Sequence, residues 1–369
     1  MSNTKWMLIS KPLRKPFNDG TLVFCDIFLR SFSKETTFTY FGDPQDSIRQ
    51  GLGDEVLEVA SMGFSPSFIN KMKLLLYVFS PLRRKQPIHW LFTPNKMTSR
   101  IVAEIRRLYP KRVMIQTVMS SDGVEKYISL LGSLDAVCVF SKKAKDHMIQ
   151  GGLSADKVHL IYPAVEETAK PSNFEERRSI LYAGDLDKKV AHKIVSIVRG
   201  LQEQDLKDWS FIVACRPKSP EDTEARKILH SQLKEEMKNG HIEILGEVTN
   251  MEELFNRSAL QVFLSEHVKK KVDLPFVLLE GLARGLGLVA LDIAPINEIF
   301  ELAEKNNLLV GSVVNKDNND ELTQMIVKLL KDTTQLKRYS NEAQKLIQQS
   351  FSIEQMSKKY KEVYDKFSI

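Results

Sequence analysis

Short apolar runs alternate with longer segments of helical period through almost the whole chain. In the first half the short runs are "WMLIS", "TFTYFG", "IHWLFT", "RVMIQTV", "DAVCVFS" and "VHLIYPA". Runs of this length, rich in β-branched and aromatic residues, predict strands. Between them, residues 20–33, 68–80, 96–109, 124–132 and 142–151 have amphipathic helix spacing, the last closed by Gly151 and Gly152 as a helix stop. Strands and helices in alternation predict an α/β fold with a parallel sheet.

The rhythm breaks at residues 166–178, "EETAKPSNFEERR", a polar stretch with a proline and no strand period. It predicts a linker. Beyond it come "RSILYAGD", "WSFIVAC", "HIEILGEV", "LQVFLSE", "GLVALDI" and "NLLVGSVV", separated by helix patterns at 190–204, 221–239, 251–257, 276–284 and 296–303. A second Rossmann-like sheet follows from that order. The expected organisation is therefore a domain over 1–165, a linker over 166–178, a domain over 179–349 and a closing helix over 350–369. In that last segment Tyr360, Val363, Tyr364 and Phe367 stand at i, i+3, i+4 and i+7, an apolar face that needs a surface to pack on.

A length of 369 residues with 43% hydrophobic and 27% charged residues supports two cores and argues against wholesale disorder. The longest apolar runs fall far short of the roughly 20 residues that span a bilayer. The N-terminal "MSNTKWMLISKPLRKP" lacks the apolar core and cleavage site of a signal peptide, so a cytoplasmic protein is expected. Cys25, Cys138 and Cys215 are widely spaced in apolar surroundings, as reduced core thiols are. His89, His147, His192 and His241 show no metal-ligand spacing, and no DxD pattern marks a metal. No cofactor is expected.

The net charge of +6 is unevenly distributed: residues 1–170 hold 24 Lys and Arg against 16 Asp and Glu. An anionic partner on that half is expected, though not a nucleic acid. One stretch there, "SPSFINKMKLLLYVFSPLRRK" at 65–85, places Phe68, Met72, Leu75, Leu76 and Phe79 on one stripe before Arg83, Arg84 and Lys85. Two readings fit. It is a core helix with a basic exit loop, or a helix lying on an anionic leaflet at the inner face of the membrane.

The segment "LQVFLSEHVKKKVDLPFVLLEGLARGLGLVALDIAPINEIF" resembles the donor-binding part of retaining glycosyltransferases of the GT-B fold, the large family 4. The family pattern is a strand ending in Ser, a loop, a Pro, a helix with "LLEA(M)A-G", a short strand and "GG-PE". Here Ser265, Pro275, "LLEGLARG" at 278–285, "LGLVALD" and "APINEI" match it in order. "DAVCVFSKKAKDHMIQGGLSADKVHLIYPAVE" and "SILYAGDLD" also resemble family segments. The resemblance implies two Rossmann-like domains facing across a cleft, with the C-terminal helix crossing back to the N-domain. It implies a hexosyltransferase that moves a sugar, with retention, from a nucleotide-sugar donor to a glycan or lipid-linked acceptor in surface polysaccharide or glycolipid assembly.

The chemistry of such a donor assigns the candidate residues. Pro275 suits a first helical turn, so the amides at the start of "PFVLLE" (Phe276, Val277, Leu278, Leu279) are candidates for diphosphate oxygens. Glu280, set among leucines where a charge needs a partner, matches the family's second motif Glu, which holds the ribose. The first Glu of that E-x7-E motif falls on Val272, with Asp273 and Glu266 as substitutes. Where the family has a basic "GRL---KG", this chain reads "GDLDKKVA": Asp185 replaces the Arg and Val190 the Lys. Lys188, Lys269, Lys270, Lys271 and Arg216 are the cations that could serve instead. Asp19 and Gly20 occupy the turn after the first strand, where the family backbone approaches donor and acceptor. Met119 stands where the family often has a His, so no general base is assigned; the donor phosphate itself can take the acceptor proton. Val272, Asp185 and Met119 favour an alternative, a GT-B homologue that has lost catalysis and serves as a binding or scaffold subunit.

Overall fold

The computed structural model describes residues 5–13, 19–32, 36–43, 52–58, 68–92, 94–168, 174–268 and 271–367. They divide into two compact units, the first formed by Met1–Ala164, Lys269–Pro275 and Ser352–Ile369, the second by Val165–Val268 and Phe276–Phe351.

Unit 1 holds strands β1 (Lys5–Leu13), β2 (Thr37–Gly42), β3 (Glu55–Glu58), β4 (Ile88–Leu91), β5 (Met114–Val118), β6 (Ala136–Val139) and β7 (Val158–Leu160). Its helices in chain order are α1 (Gly20–Arg30), α2 (Phe68–Val78), α3 (Lys96–Leu108), α4 (Ile128–Gly132) and α5 (Lys142–Gln150). All seven strands run parallel in the order β3-β2-β1-β4-β5-β6-β7. Central strands are buried along almost their whole length, which explains why they read as continuous apolar runs rather than alternating ones. β3 was not predicted. It is a four-residue edge strand with Glu at both ends and only Leu57 buried, held by its pairing to β2, so its sequence carries no periodic signal.

Unit 2 holds β8 (Ser179–Ala183), β9 (Ser210–Ala214), β10 (Ile242–Leu245), β11 (Ser258–Phe263), β12 (Gly287–Leu291) and β13 (Gly311–Val314). Its helices are α6 (Lys188–Glu203), α7 (Pro220–Gln232), α8 (Lys234–Lys238), α9 (Met251–Arg257), α10 (Phe276–Ala283), α11 (Glu298–Lys305), α12 (Asn319–Lys331) and α13 (Thr333–Ser350). The parallel order is β10-β9-β8-β11-β12-β13. This is the doubly wound 3-2-1-4-5-6 arrangement, whose switch point lies between β8 and β11. Ile180, Val213, Leu260 and Val289 from the sheet meet Ile194, Val198 and Ile326 from the helices in one core.

Two boundaries differ from the sequence expectation. Within the predicted linker, residues 169–173 lie outside the described residues, but both flanks are bound into unit 2: Thr168 Oγ1 donates to the Ala283 carbonyl at 3.0 Å and the buried Arg177 donates to the Arg284 carbonyl at 3.0 Å. Residues 269–275, expected inside the second domain, group with unit 1. The reason is Asp273, described below. The chain closes with α14 (Ile353–Asp365), which also belongs to unit 1. Its Met356, Tyr360, Val363 and Tyr364 are buried, while Phe367 is half-buried. Tyr364 stacks on Trp6 with ring centroids 3.9 Å apart.

Candidate functional site

In open α/β sheets ligands sit beyond the carboxyl ends of the strands at the switch point. In unit 2 that place is built from the segments after β8 and β11. After β8, Asp187 caps α6 by accepting from the Val190 amide at 2.8 Å. After β11 comes Glu266, whose carboxylate accepts from Lys189 Nζ at 2.6 Å and Lys193 Nζ at 2.9 Å. The two lysines, four residues apart, share a face of α6; Lys189 is exposed and the Lys193 side chain is 4% exposed. They hold the Glu266 carboxyl below its usual range, the bond to Lys189 contributing most.

Of the candidate phosphate cations, Arg216 has another partner, Glu247 at 2.9 Å. Asp185 does not face its surroundings as a bare charge: Lys218 pairs with it at 2.9 Å. Lys188 is exposed at the start of α6 and Lys271 is half-buried. Lys269 and Lys270 lie outside the described residues. Lys189 and Lys193, which sequence reasoning missed as a pair, carried a legible signal in their i, i+4 spacing within the apolar run of α6.

Glu280 lies on α10, which starts at Phe276 directly after Pro275. Phe276, Leu278 and Leu279 are buried, and Val277 packs beside Leu181, Ile212 and Phe255. Gln261 on β11 donates to the Leu278 carbonyl at 2.9 Å, so the helix is fastened to the central strand. Its end is held by Thr168, Gln344 and Arg177, which donate to the carbonyls of Ala283, Ala283 and Arg284. On this fixed helix the half-buried Glu280 carboxylate has no hydrogen bond or ion pair with any described residue. Burial, and then Glu166, raise its pKa, while Arg284 opposes the rise. A carboxylate in that state is suited to accepting hydroxyl donors from a ligand.

In unit 1 two candidates are engaged in holding the fold. Asp19 caps α1, its Oδ1 accepting from the amides of Thr21 and Leu22 at 2.9 and 3.1 Å, and its Oδ2 pairs with Lys11 at 2.8 Å. Gly20, half-buried, begins the helix. Asp273 is fully buried: Oδ1 accepts from the Ser121 amide at 2.7 Å and Ser121 Oγ at 2.9 Å, Oδ2 accepts from Ser141 Oγ, and its own amide donates to the Met119 carbonyl at 2.9 Å. Desolvation raises its pKa against those bonds. The neighbouring Val272 is half-buried. Thus the two carboxylates that could replace the first motif Glu are both occupied, Glu266 by lysines and Asp273 by serines.

His89 is buried and neutral, its pKa lowered to about 3 by burial. Its ring nitrogens meet Tyr364 Oη at 2.6 Å and Thr117 Oγ1 at 2.8 Å, and it therefore ties α14 to the sheet. Cys25, Cys138 and Cys215 are buried and unbridged. Among the described residues no group of three or more His, Cys, Asp or Glu could hold a metal ion.

Residues 165–346 match the family model of glycosyl transferases group 1. No curated protein matches the chain in sequence. Solved structures share its fold along nearly their whole length. The Anabaena protein HepE in complex with UDP is 15% identical with a TM-score of 0.72, covering 98% of this chain and 100% of that one. Sucrose-phosphate synthase from Thermosynechococcus elongatus is 16% identical with a TM-score of 0.70, covering 98% of both chains. The lipopolysaccharide outer core galactosyltransferase WaaB is 13% identical with a TM-score of 0.66, covering 98% of this chain and 100% of that one. At such identities the likeness establishes the fold alone, an α/β chain of two Rossmann-like units.

Proposed function

Taking residues 165–346 as a glycosyl transferases group 1 domain, we propose that the protein transfers a hexose from a nucleotide-sugar donor to a glycan or lipid-linked acceptor, with retention of configuration. The observation that carries this reading is Glu280, a half-buried carboxylate without a partner among the described residues, on a helix fixed at both ends. Its role is to accept the ribose hydroxyls. The first-turn amides of α10 (Phe276–Leu279) and the cations Lys188 and Arg216, all of unit 2, are proposed to meet the diphosphate. UDP and UDP-glucose, found with HepE, are the first donors to test.

A second reading has its own observation. Asp273 and Glu266 are both spent on protein partners, which leaves the transferred sugar without a carboxylate near Val272. A protein that binds a nucleotide but does not transfer would look like this.

A thermal-shift screen with UDP, GDP and ADP and their sugars, followed by an assay of nucleotide release, separates the two. A ligand at 100 times its Kd adds about 2.7 kcal/mol of stability. Losing charged hydrogen bonds worth about 1.5–3 kcal/mol in Glu280→Gln weakens binding by roughly 30-fold. At the same ligand concentration the variant then keeps only about 0.9 kcal/mol. Stabilisation with nucleotide release supports transfer; stabilisation without release in the presence of varied acceptors supports the binding reading. If no nucleotide stabilises the protein, both fail.

A further inference from the structure

We infer that unit 1 carries a docking surface for an anionic lipid leaflet, formed by the outer face of α2 and the turn that follows it. Helix α2 is fixed by its inner side. Asn70 and Val78 are buried, Leu74 and Tyr77 pack on the core, and Arg112 and Tyr109 bond to the carbonyls of Val78 and Phe79 at its end. On the opposite side Phe68 is 76%, Ile69 57%, Met72 42% and Leu76 69% exposed, and Leu82 in the next turn is 96% exposed. At 3.6 residues per turn the four helical residues share one face. Lys71 and Lys73 border that face on either side.

Charge selects the occupant. No Asp or Glu occurs between Ser65 and Pro87, whereas Lys71, Lys73, Arg83, Arg84 and Lys85 do. Arg83 is removed from the set: it pairs with Glu55 at 2.7 Å and lies over the Tyr77 ring at 4.7 Å. The other four make no ion pair with any described residue, although Lys73 Nζ donates to the Glu58 carbonyl at 3.4 Å, and Arg84, Lys85 and Lys73 are exposed. An apolar stripe edged by cations without a carboxylate partner among the described residues complements a leaflet that is anionic at its surface and apolar beneath. A second copy of this chain would set the same cations against each other. Met72 and Leu76 also border a shallow recess with Leu75 and Phe79, but the 69% and 96% exposure of Leu76 and Leu82 leaves both side chains able to enter an acyl layer.

The test uses the full chain in co-flotation with vesicles of phosphatidylcholine alone and of phosphatidylcholine mixed with phosphatidylglycerol. Binding to the mixed vesicles only, weakened by salt, is expected. Arg84→Glu/Lys85→Glu and Leu76→Ser/Leu82→Ser should each lower partition by about tenfold or more, with thermal melts unchanged because those side chains are exposed. A polarity-sensitive dye on Leu82→Cys should shift to the blue on mixed vesicles. No flotation, equal binding to both vesicle types, unchanged binding by the variants, or a dimer that the same substitutions dissolve would overturn the inference.

Discussion

Replacing Asp273 by alanine removes one buried carboxylate addressed by three donors, the Ser121 amide, the Ser121 hydroxyl and the Ser141 hydroxyl. Hydrogen bonds to a charged group are worth about 1.5–3 kcal/mol each, so the gross loss is about 5–9 kcal/mol. Two effects reduce it. The carboxylate is desolvated, and its raised pKa records that burial costs the ionised form more than the bonds return. Ser141 Oγ also keeps its bond from the Ala144 amide at 2.9 Å. The Ser121 amide has no such recourse and alone sets a floor of about 1–3 kcal/mol for an unsatisfied buried donor. A net loss of about 2–4 kcal/mol is expected, or roughly 5–15 °C in the melting midpoint of a unit this size. Asp273→Asn should cost at most about 1 kcal/mol, because its amide oxygen can serve Ser121 and its nitrogen can donate to Ser141. The sign with pH is definite. A group whose folded pKa is raised lends stability below its unfolded pKa and loses it as pH rises through the folded one. Differential scanning calorimetry across the carboxylate range should therefore find the asparagine variant gaining on the natural protein as pH rises. An alanine variant as stable as the natural protein, or an asparagine variant as damaged as the alanine one, would refute the account.

Other perturbations follow from the same geometry. His89 is held neutral at about 3 against an ordinary 6.5, so the stability it carries is present above pH 6.5 and lost as pH falls towards 3, by up to about 5 kcal/mol. In His89→Gln the slope of stability against pH over that window should flatten, as read by urea titrations at several pH values. Gly281→Ala places a Cβ 2.3 Å from Gln261 Oε1 and should cost about 1–3 kcal/mol by overpacking. Adding Gln261→Ala should recover part of that loss, and a double-mutant cycle in denaturant with no coupling between the two sites would contradict the proposed collision.

The site was legible in part. Glu280 stood out because a lone carboxylate among leucines is a chemical anomaly wherever the helix packs, and the helix does bury its neighbours. The cations were harder to read. A run such as "DKKVAHK" shows charge but not pairing, and only the fold brings Glu266 from the β11 end onto Lys189 and Lys193. The partners of Asp273 were hidden for the same reason: Ser121 and Ser141 lie 152 and 132 residues away, beyond any local pattern. The reading of residues 65–85 stayed open in sequence because a stripe of Phe, Met and Leu looks identical whether it faces a core or solvent. Exposure of Phe68, Leu76 and Leu82 settles which side packs.

By itself the sequence determined the alternation of strand and helix, the two parallel sheets and the closing helix. Those features rest on local periodicity and on burial repeated at every turn, which neighbouring residues encode. Tertiary structure decided which charges remain available. Asp185, Arg216, Glu266 and Asp273 all acquire partners from distant segments, and Glu280 acquires none among the described residues. Availability depends on the sum of Coulomb attraction and desolvation at a place in space, and that sum exists only once the chain has brought its distant parts together.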